Sequence, residues 1–159
     1  MQKITTFLWF NDNAEEAAEF YVSLFKNSKV LSVQRLPEGT PGPQKKVLAI
    51  TFQLEGQTFM ALNGGPHYAL TPAISLFVDC EDQAEVDALW SKLGRGGAPQ
   101  ACGWITDRFG LSWQIIPRAL MQMMGDQDPA KAQRVMQAML KMVKIDVAAL
   151  QRAYEGRDA

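Results

Sequence analysis

The sequence predicts an α+β protein made of two β-α-β-β-β modules followed by C-terminal helices. Three observations predict it. A strand pattern, an amphipathic helix and three more strand patterns occur twice, in residues 1–65 and again in 72–118. Landmarks recur at one offset: Thr6 answers Ser75 and Tyr21 answers Trp90, each sixty-nine residues on. From Arg118 the strand pattern stops, and the helix signals of an extension follow from Asp128-Pro129. Side by side, two such modules make one curved, mainly antiparallel sheet with helices outside and a cleft inside. Residues 1–118 then form one domain of two modules, and 119–159 an extension.

Lys3–Phe10 is rich in β-branched and aromatic residues and reads as a strand. Asn11-Asp12-Asn13 breaks it, and Asn13 with Glu16 has the shape of a capping box. Ala17, Phe20, Tyr21, Leu24 and Phe25 then fall on one helical stripe that Asn27 can end. Val30–Leu36 is a second strand, and Pro37–Pro43 an exposed connection. Val47–Glu55 and Thr58–Leu62 form a hairpin around Glu55-Gly56-Gln57, and Asn63-Gly64-Gly65-Pro66 breaks the chain.

The second module repeats the order. Pro72–Asp79 is a strand, and Asp82 with Glu85 caps a helix whose stripe is Val86, Leu89, Trp90 and Leu93, stopped by Gly94. A short strand over Pro99–Ala101 precedes a hairpin spanning Cys102–Pro117. Asp107 opens its turn and Gly110 supplies a left-handed residue, as in a type I turn with a G1 bulge. That turn fixes register: Trp104 pairs with Gln114, Ile105 with Trp113 and Thr106 with Ser112. Alternation puts Ile105, Trp113 and Ile115 on an apolar face that belongs in a core. Trp104, Thr106, Ser112 and Gln114 share the other face, where an aromatic mixes with hydroxyls and an amide, as in ligand cavities.

In the extension, Asp128-Pro129 reads as an N-cap with proline at the first helical position. Val135, Met136, Met139, Leu140 and Val143 make an apolar stripe, and Asp146 caps a last helix through Tyr154. Such a stripe is core or a subunit contact before it is an adaptable binding face.

Composition narrows the function classes. The chain has 159 residues, is 47% hydrophobic and carries net charge −1 with no sustained run of either sign, so neither nucleic acid nor an anionic membrane is an expected partner. Met1 leads straight into a strand, and no apolar run approaches the ~20 residues of a membrane helix, so a cytoplasmic location is expected. Cys80 and Cys102 read as buried reduced thiols that could lie close together.

Three stretches carry a resemblance. FLWFNDNAEEAAEFYVSLFKNSKV, ALNGGPHY and CGWITDRFGLSWQIIP are together similar to the PhnB-like branch of the vicinal oxygen chelate superfamily, the glyoxalase/bleomycin-resistance/dioxygenase fold. Members of that branch are often called 3-demethylubiquinone-9 3-methyltransferases. The tail from Asp128 to Gly156 looks like an extension that many of them carry. The resemblance implies the paired-module fold and a homodimer, and it assigns no reaction. Exposed sheet edges and the apolar stripe of the tail point to the same dimer.

Metal-dependent members of the superfamily take His or Glu from the first strand of each module, from the last strand and from the last strand of the first module. Matching implies that Thr6, Ala73 and Gln114 occupy three of those places, with the fourth inside Phe59–Leu62. A hydroxyl, a methyl and a neutral amide are not a divalent-metal donor set, so no metal and no cofactor is expected. His67 is the sole histidine, either a surface loop residue or a hydrogen-bonding group at the cleft mouth.

The expected function is therefore binding of a small molecule in a largely apolar cleft. Its sparse polar groups are Thr6, Ser75, Thr106, Ser112 and Gln114, joined by Asn63, His67 and the rings of Phe77 and Trp104. Trp9, Trp90 and Trp113 are expected to pack. A metal-dependent lyase, isomerase or dioxygenase and an interaction module working through the methionine-rich tail are the alternatives. Methyl transfer from S-adenosylmethionine is not supported, because Asn11-Asp12-Asn13 contains no glycine where a nucleotide-type loop needs one.

Overall fold

The computed structural model describes residues 1–41 and 46–157. Part of the expected Pro37–Pro43 connection lies outside the described residues. The chain separates into two compact units, Met1–Leu70 and Thr71–Ala159, each holding one β-α-β-β-β module.

In the first unit, β1 (Thr6–Phe10), α1 (Ala14–Leu24), β2 (Lys29–Arg35), β3 (Val47–Leu54) and β4 (Gln57–Asn63) follow one another. The sheet order is β1-β4-β3-β2, with β1 parallel to β4 and the other pairs antiparallel. Glu55 and Gly56 both have positive φ, at 48° and 82°, so the β3–β4 hairpin closes through a two-residue type I′ turn. Tyr21 of α1 packs on Phe52, and Phe52 stacks on Phe59, so Leu8, Phe10, Ile50, Phe52, Phe59 and Ala61 form the core under α1. The other face of β1 and β4 carries Phe7, Trp9, Met60 and Leu62, all at least partly exposed.

The expected capping box of α1 is absent. Asn13 makes no side-chain cap bond. Instead Asn63, at the end of β4, accepts from Ala14 N–H at 2.8 Å and donates Nδ2 to Val47 O at 2.9 Å. An amide on a neighbouring strand meets the orphan donor more directly than the local cap.

The second unit contains β5 (Ser75–Cys80), α2 (Gln83–Gly94), β6 (Ala98–Pro99), β7 (Trp104–Thr106) and β8 (Ser112–Pro117), in sheet order β5-β8-β7-β6. A short 3-10 turn over Ala101–Gly103 stands where the sequence suggested strand through Ala101. Asp82 caps α2 by accepting from Glu85 N–H at 3.0 Å. Val86, Leu89 and Leu93 bury the inner face of α2, while Trp90 stays half-exposed rather than entering the core.

The extension folds as α3 (Arg118–Met124), α4 (Pro129–Met139) and α5 (Val147–Tyr154) and packs on the second module. The sequence reading gave no helix for α3. Leu120, Met123, Val135, Ile145 and Leu150 gather around Ile116 of β8. Asp128 and Asp146 cap α4 and α5 as their positions suggest. The expected stripe divides: Val135 is buried and Met139 packs against the cluster, but α4 stops at Met139 and leaves Met136, Leu140 and Val143 exposed.

Candidate functional site

The hairpin that carries the strongest site candidates has the register its turn chemistry specifies. Trp104 pairs with Gln114, Ile105 with Trp113 and Thr106 with Ser112. Asp107 N–H donates to Leu111 O at 2.9 Å, Gly110 N–H donates to Asp107 O at 3.0 Å, and Gly110 adopts φ 92°. Ile105, Trp113 and Ile115 lie on the α2 side and are fully buried.

The opposite face gathers residues from three strands. Ser75 pairs with Ser112 and Phe77 with Gln114 across the parallel β5–β8 ladder, so Ser75, Phe77, Trp104, Thr106, Ser112 and Gln114 share this face. Gln114 Nε2 donates to Ser75 Oγ at 2.9 Å, which orients the amide. Phe77 is 48% exposed, and Trp104, Thr106, Ser75 and Gln114 are half-buried. Ser112 is only 2% exposed, and its hydroxyl has no hydrogen-bond partner. An unsatisfied buried hydroxyl costs free energy, and this one lies beneath the face and not at its surface. At one end of the face, Arg118 donates to Asp79 at 3.1 Å, so these two charges neutralise each other.

Thr6 falls elsewhere. It pairs with Phe59, on the face that α1 covers. The ladders show why the expected overlay on Ser75 does not hold: the β1–β4 pairs Thr6–Phe59 and Leu8–Ala61 correspond to Leu76–Trp113 and Val78–Ile115 of β5–β8. The strand repeat is therefore seventy residues, against sixty-nine between the first residues of the two helices, because the strand-to-helix turn is one residue shorter in the second module. A shift of one reverses every side chain of a strand. The uncovered face of β1 instead presents Phe7, 52% exposed, and Trp9, neither of which was a site candidate. The pairing parity of β1 with the buried Leu8 and Phe10 was the signal that could have found them.

Trp9 packs as expected, but against a loop. Its indole Nε1 donates to Gly65 O at 2.9 Å, and its ring meets Tyr68 edge-on at 4.9 Å. Gly64 lies so close that a Cβ there would sit 2.4 Å from the indole. His67 is exposed in the same loop, and Asn63 is taken up by the end of α1.

Asp107, which turn chemistry alone seemed to explain, is 3% exposed. Its carboxylate accepts from Phe109 N–H, Leu111 N–H and Trp113 Nε1–H at 2.8, 3.1 and 2.9 Å. Both cysteines are free; Cys80 is buried and Cys102 only half-buried. Burial, with Glu85 and Asp79 nearby, pushes the Cys80 thiol up to about 12.

Among the described residues, no three His, Cys, Asp or Glu side chains are grouped so as to hold a metal. The positions matched to the metal ligands of the superfamily provide the Thr6 hydroxyl on the α1 side and the Gln114 amide bonded to Ser75, a donor set that does not fit a divalent ion. No helix among the described residues is long and apolar enough to cross a membrane.

Comparison with known proteins agrees with this architecture. Residues 2–116 match the family described as 3-demethylubiquinone-9 3-methyltransferase. A protein from Bacillus cereus, titled a putative 3-demethylubiquinone-9 3-methyltransferase, PhnB protein, has 41% identity; the match covers 73% of this chain and 99% of that one, with TM-score 0.68. A Pseudomonas aeruginosa protein shares the fold at 20% identity, covering 74% of this chain and 98% of its own, with TM-score 0.61. A glyoxalase/bleomycin resistance protein from Albidiferax ferrireducens is also similar, at 14% identity, 70% and 95% coverage and TM-score 0.43. No curated protein matches significantly. The chain belongs to the 3-demethylubiquinone-9 3-methyltransferase-like, or PhnB-like, family.

Proposed function

We propose that this chain binds an uncharged, planar small molecule against the face of the second sheet formed by Ser75, Phe77, Trp104, Thr106, Ser112 and Gln114. The observation that carries the reading is the pairing of the Phe77 and Trp104 rings with the partly exposed Ser75, Thr106 and Gln114 on one face of the sheet. Rings at Trp104 and Phe77 supply apolar contact, and the Gln114–Ser75 pair supplies direction. Hydroxyls, an amide and rings bind and orient; they do not exchange protons near neutral pH. Asp79 and Arg118 cancel at the edge, so the face offers an anion no net attraction.

The donor chemistry speaks against a metal-dependent lyase or dioxygenase. Methyl transfer from a nucleotide-type donor finds no glycine-rich strand-to-helix loop: Asn11-Asp12-Asn13 and Glu81-Asp82 fill those connections. We also propose a homodimer in a reducing, cytoplasmic setting, in keeping with the free thiols and the exposed Met136, Leu140 and Val143.

The test uses benzamide, benzoate and phenylphosphonate, which share a ring and differ in charge. Benzamide should perturb the Trp104 and Gln114 side-chain resonances and the two anions should not. Equal response to all three, or none at Trp104, defeats the reading. A native mass spectrum of freshly purified protein would add the mass of any retained ligand.

A further inference from the structure

We propose that the C-terminal extension is a positioning device for this binding face: its Met142–Val143 segment fixes Cys102 and Gly103, and through them the stance of Trp104. The inference rests on reading the Trp104 face as the binding face.

Trp104 begins a strand of three residues, so little of its own ladder holds it. On its outer side β7 meets only the two residues of β6. What precedes Trp104 is unusual backbone. Cys102 and Gly103 both adopt positive φ, at 61° and 83°. A non-glycine residue in that region costs on the order of 1 kcal/mol or more and persists when its surroundings dictate it. The extension supplies that constraint: Cys102 N–H donates to Met142 O and Gly103 N–H to Val143 O, both at 2.8 Å. Glycine is required at 103, because a Cβ there would lie 2.8 Å from Ile116 Cδ1 and 3.0 Å from Ile145 Cγ1.

The segment is itself anchored to α2. The Gln83 side-chain amide clasps it from both sides, donating to Ile145 O at 3.0 Å and accepting from Val147 N–H at 2.7 Å. Lys144 reaches Asp87 at 2.8 Å, and Ile145 is fully buried beside Ile116. Ile116 is the next residue after Gln114 on the Trp104 side of β8, so the extension also covers the end of the binding face. This extension lies beyond the stretch matched to the family, which ends at residue 116. The shared fold supplies the face, and an addition to it sets one wall.

The test uses the full chain labelled with 5-fluorotryptophan, with the Trp104 resonance assigned by Trp104→Phe. Gln83→Ala removes the clasp, and Ile145→Ala removes the buried anchor. In both, exchange of the Cys102 and Gly103 amides should accelerate about tenfold or more, and the Trp104 fluorine resonance should shift and broaden. The Trp9 and Trp113 resonances should stay in place, which a general loosening would not allow. Should Ile145→Ala fail to fold, Gln83→Ala carries the test, since it removes no buried apolar group. An unmoved Trp104 with deprotected Cys102 and Gly103 overturns the proposal. So do full protection in both variants and joint movement of Trp104 with Trp113. No ligand enters this readout, so failure of the binding reading leaves it standing or falling separately.

Discussion

The Trp113 indole donates its Nε1–H to the Asp107 carboxylate at 2.9 Å, across the hairpin whose turn Asp107 opens. The same carboxylate receives Phe109 and Leu111 N–H, so one buried side chain closes the turn and fixes the largest ring of the second core. Asp107→Ala strands these donors away from water and should cost about 2–4 kcal/mol in urea unfolding. Asp107→Asn should cost less, because its carbonyl still accepts from the turn. A loss under about 0.5 kcal/mol for the alanine variant, the range of ordinary surface changes, would show that water replaces the carboxylate.

Trp104 and Trp113 lie on opposite faces of one hairpin and should respond oppositely to truncation. Trp113→Ala empties a fully buried site and should cost about 3–5 kcal/mol. Trp104→Ala should cost no more than about 1–2 kcal/mol, being half-buried, while abolishing the benzamide response. Denaturant titration and the same resonance measurement check both. Equal costs would mean that the two rings are equivalent in packing.

Cys80 and Cys102 should differ in reactivity. The Cys80 thiol, raised from 9.0 to about 12, remains protonated and buried at pH 8. Iodoacetamide should modify Cys102 first in the native protein and both residues in urea. Because the folded-state value is raised, the contribution of this thiol is complete below about pH 9 and declines as pH rises from there toward 12. Cys80→Ala should flatten that alkaline decline. An unchanged slope would assign the decline to other groups.

Gly64→Ala tests the aromatic corner of the first unit. The new methyl would meet the Trp9 indole at 2.4 Å, so ring or loop must move. The bond from Trp9 Nε1 to Gly65 O should break, at a cost of about 1–3 kcal/mol. A shifted Trp9 fluorine resonance with Trp113 unmoved is the expected signature; an unshifted Trp9 would mean that the loop yields instead.

Local chemistry was legible where it was self-contained. Asp107 and Gly110 fix the hairpin register without help from distant residues, so the second-unit face could be read from the chain. The face of Thr6 could not. Counting from the helices ignored a one-residue difference in the turn before them, and parity turns on one residue. Nor could sequence show that Asn63 replaces Asn13 as the cap of α1, since that depends on where β4 ends in space. Trp90 sits on an apolar stripe yet stays half-exposed, because a stripe gives direction and not depth. Asp107 was the least visible: a turn residue is ordinarily solvated, and only the packed structure reveals its three donors.

The two adjacent isoleucines of β8 point into different hydrophobic clusters. Ile115 lies in the core beneath α2, and Ile116 in the one built by the extension. Neither cluster can melt without disturbing the strand that the other grips, so the module and its extension should unfold as one cooperative unit. In hydrogen exchange, the amides of β8 should open only with that whole unit, and α3–α5 should not detach beforehand as an independent foldon.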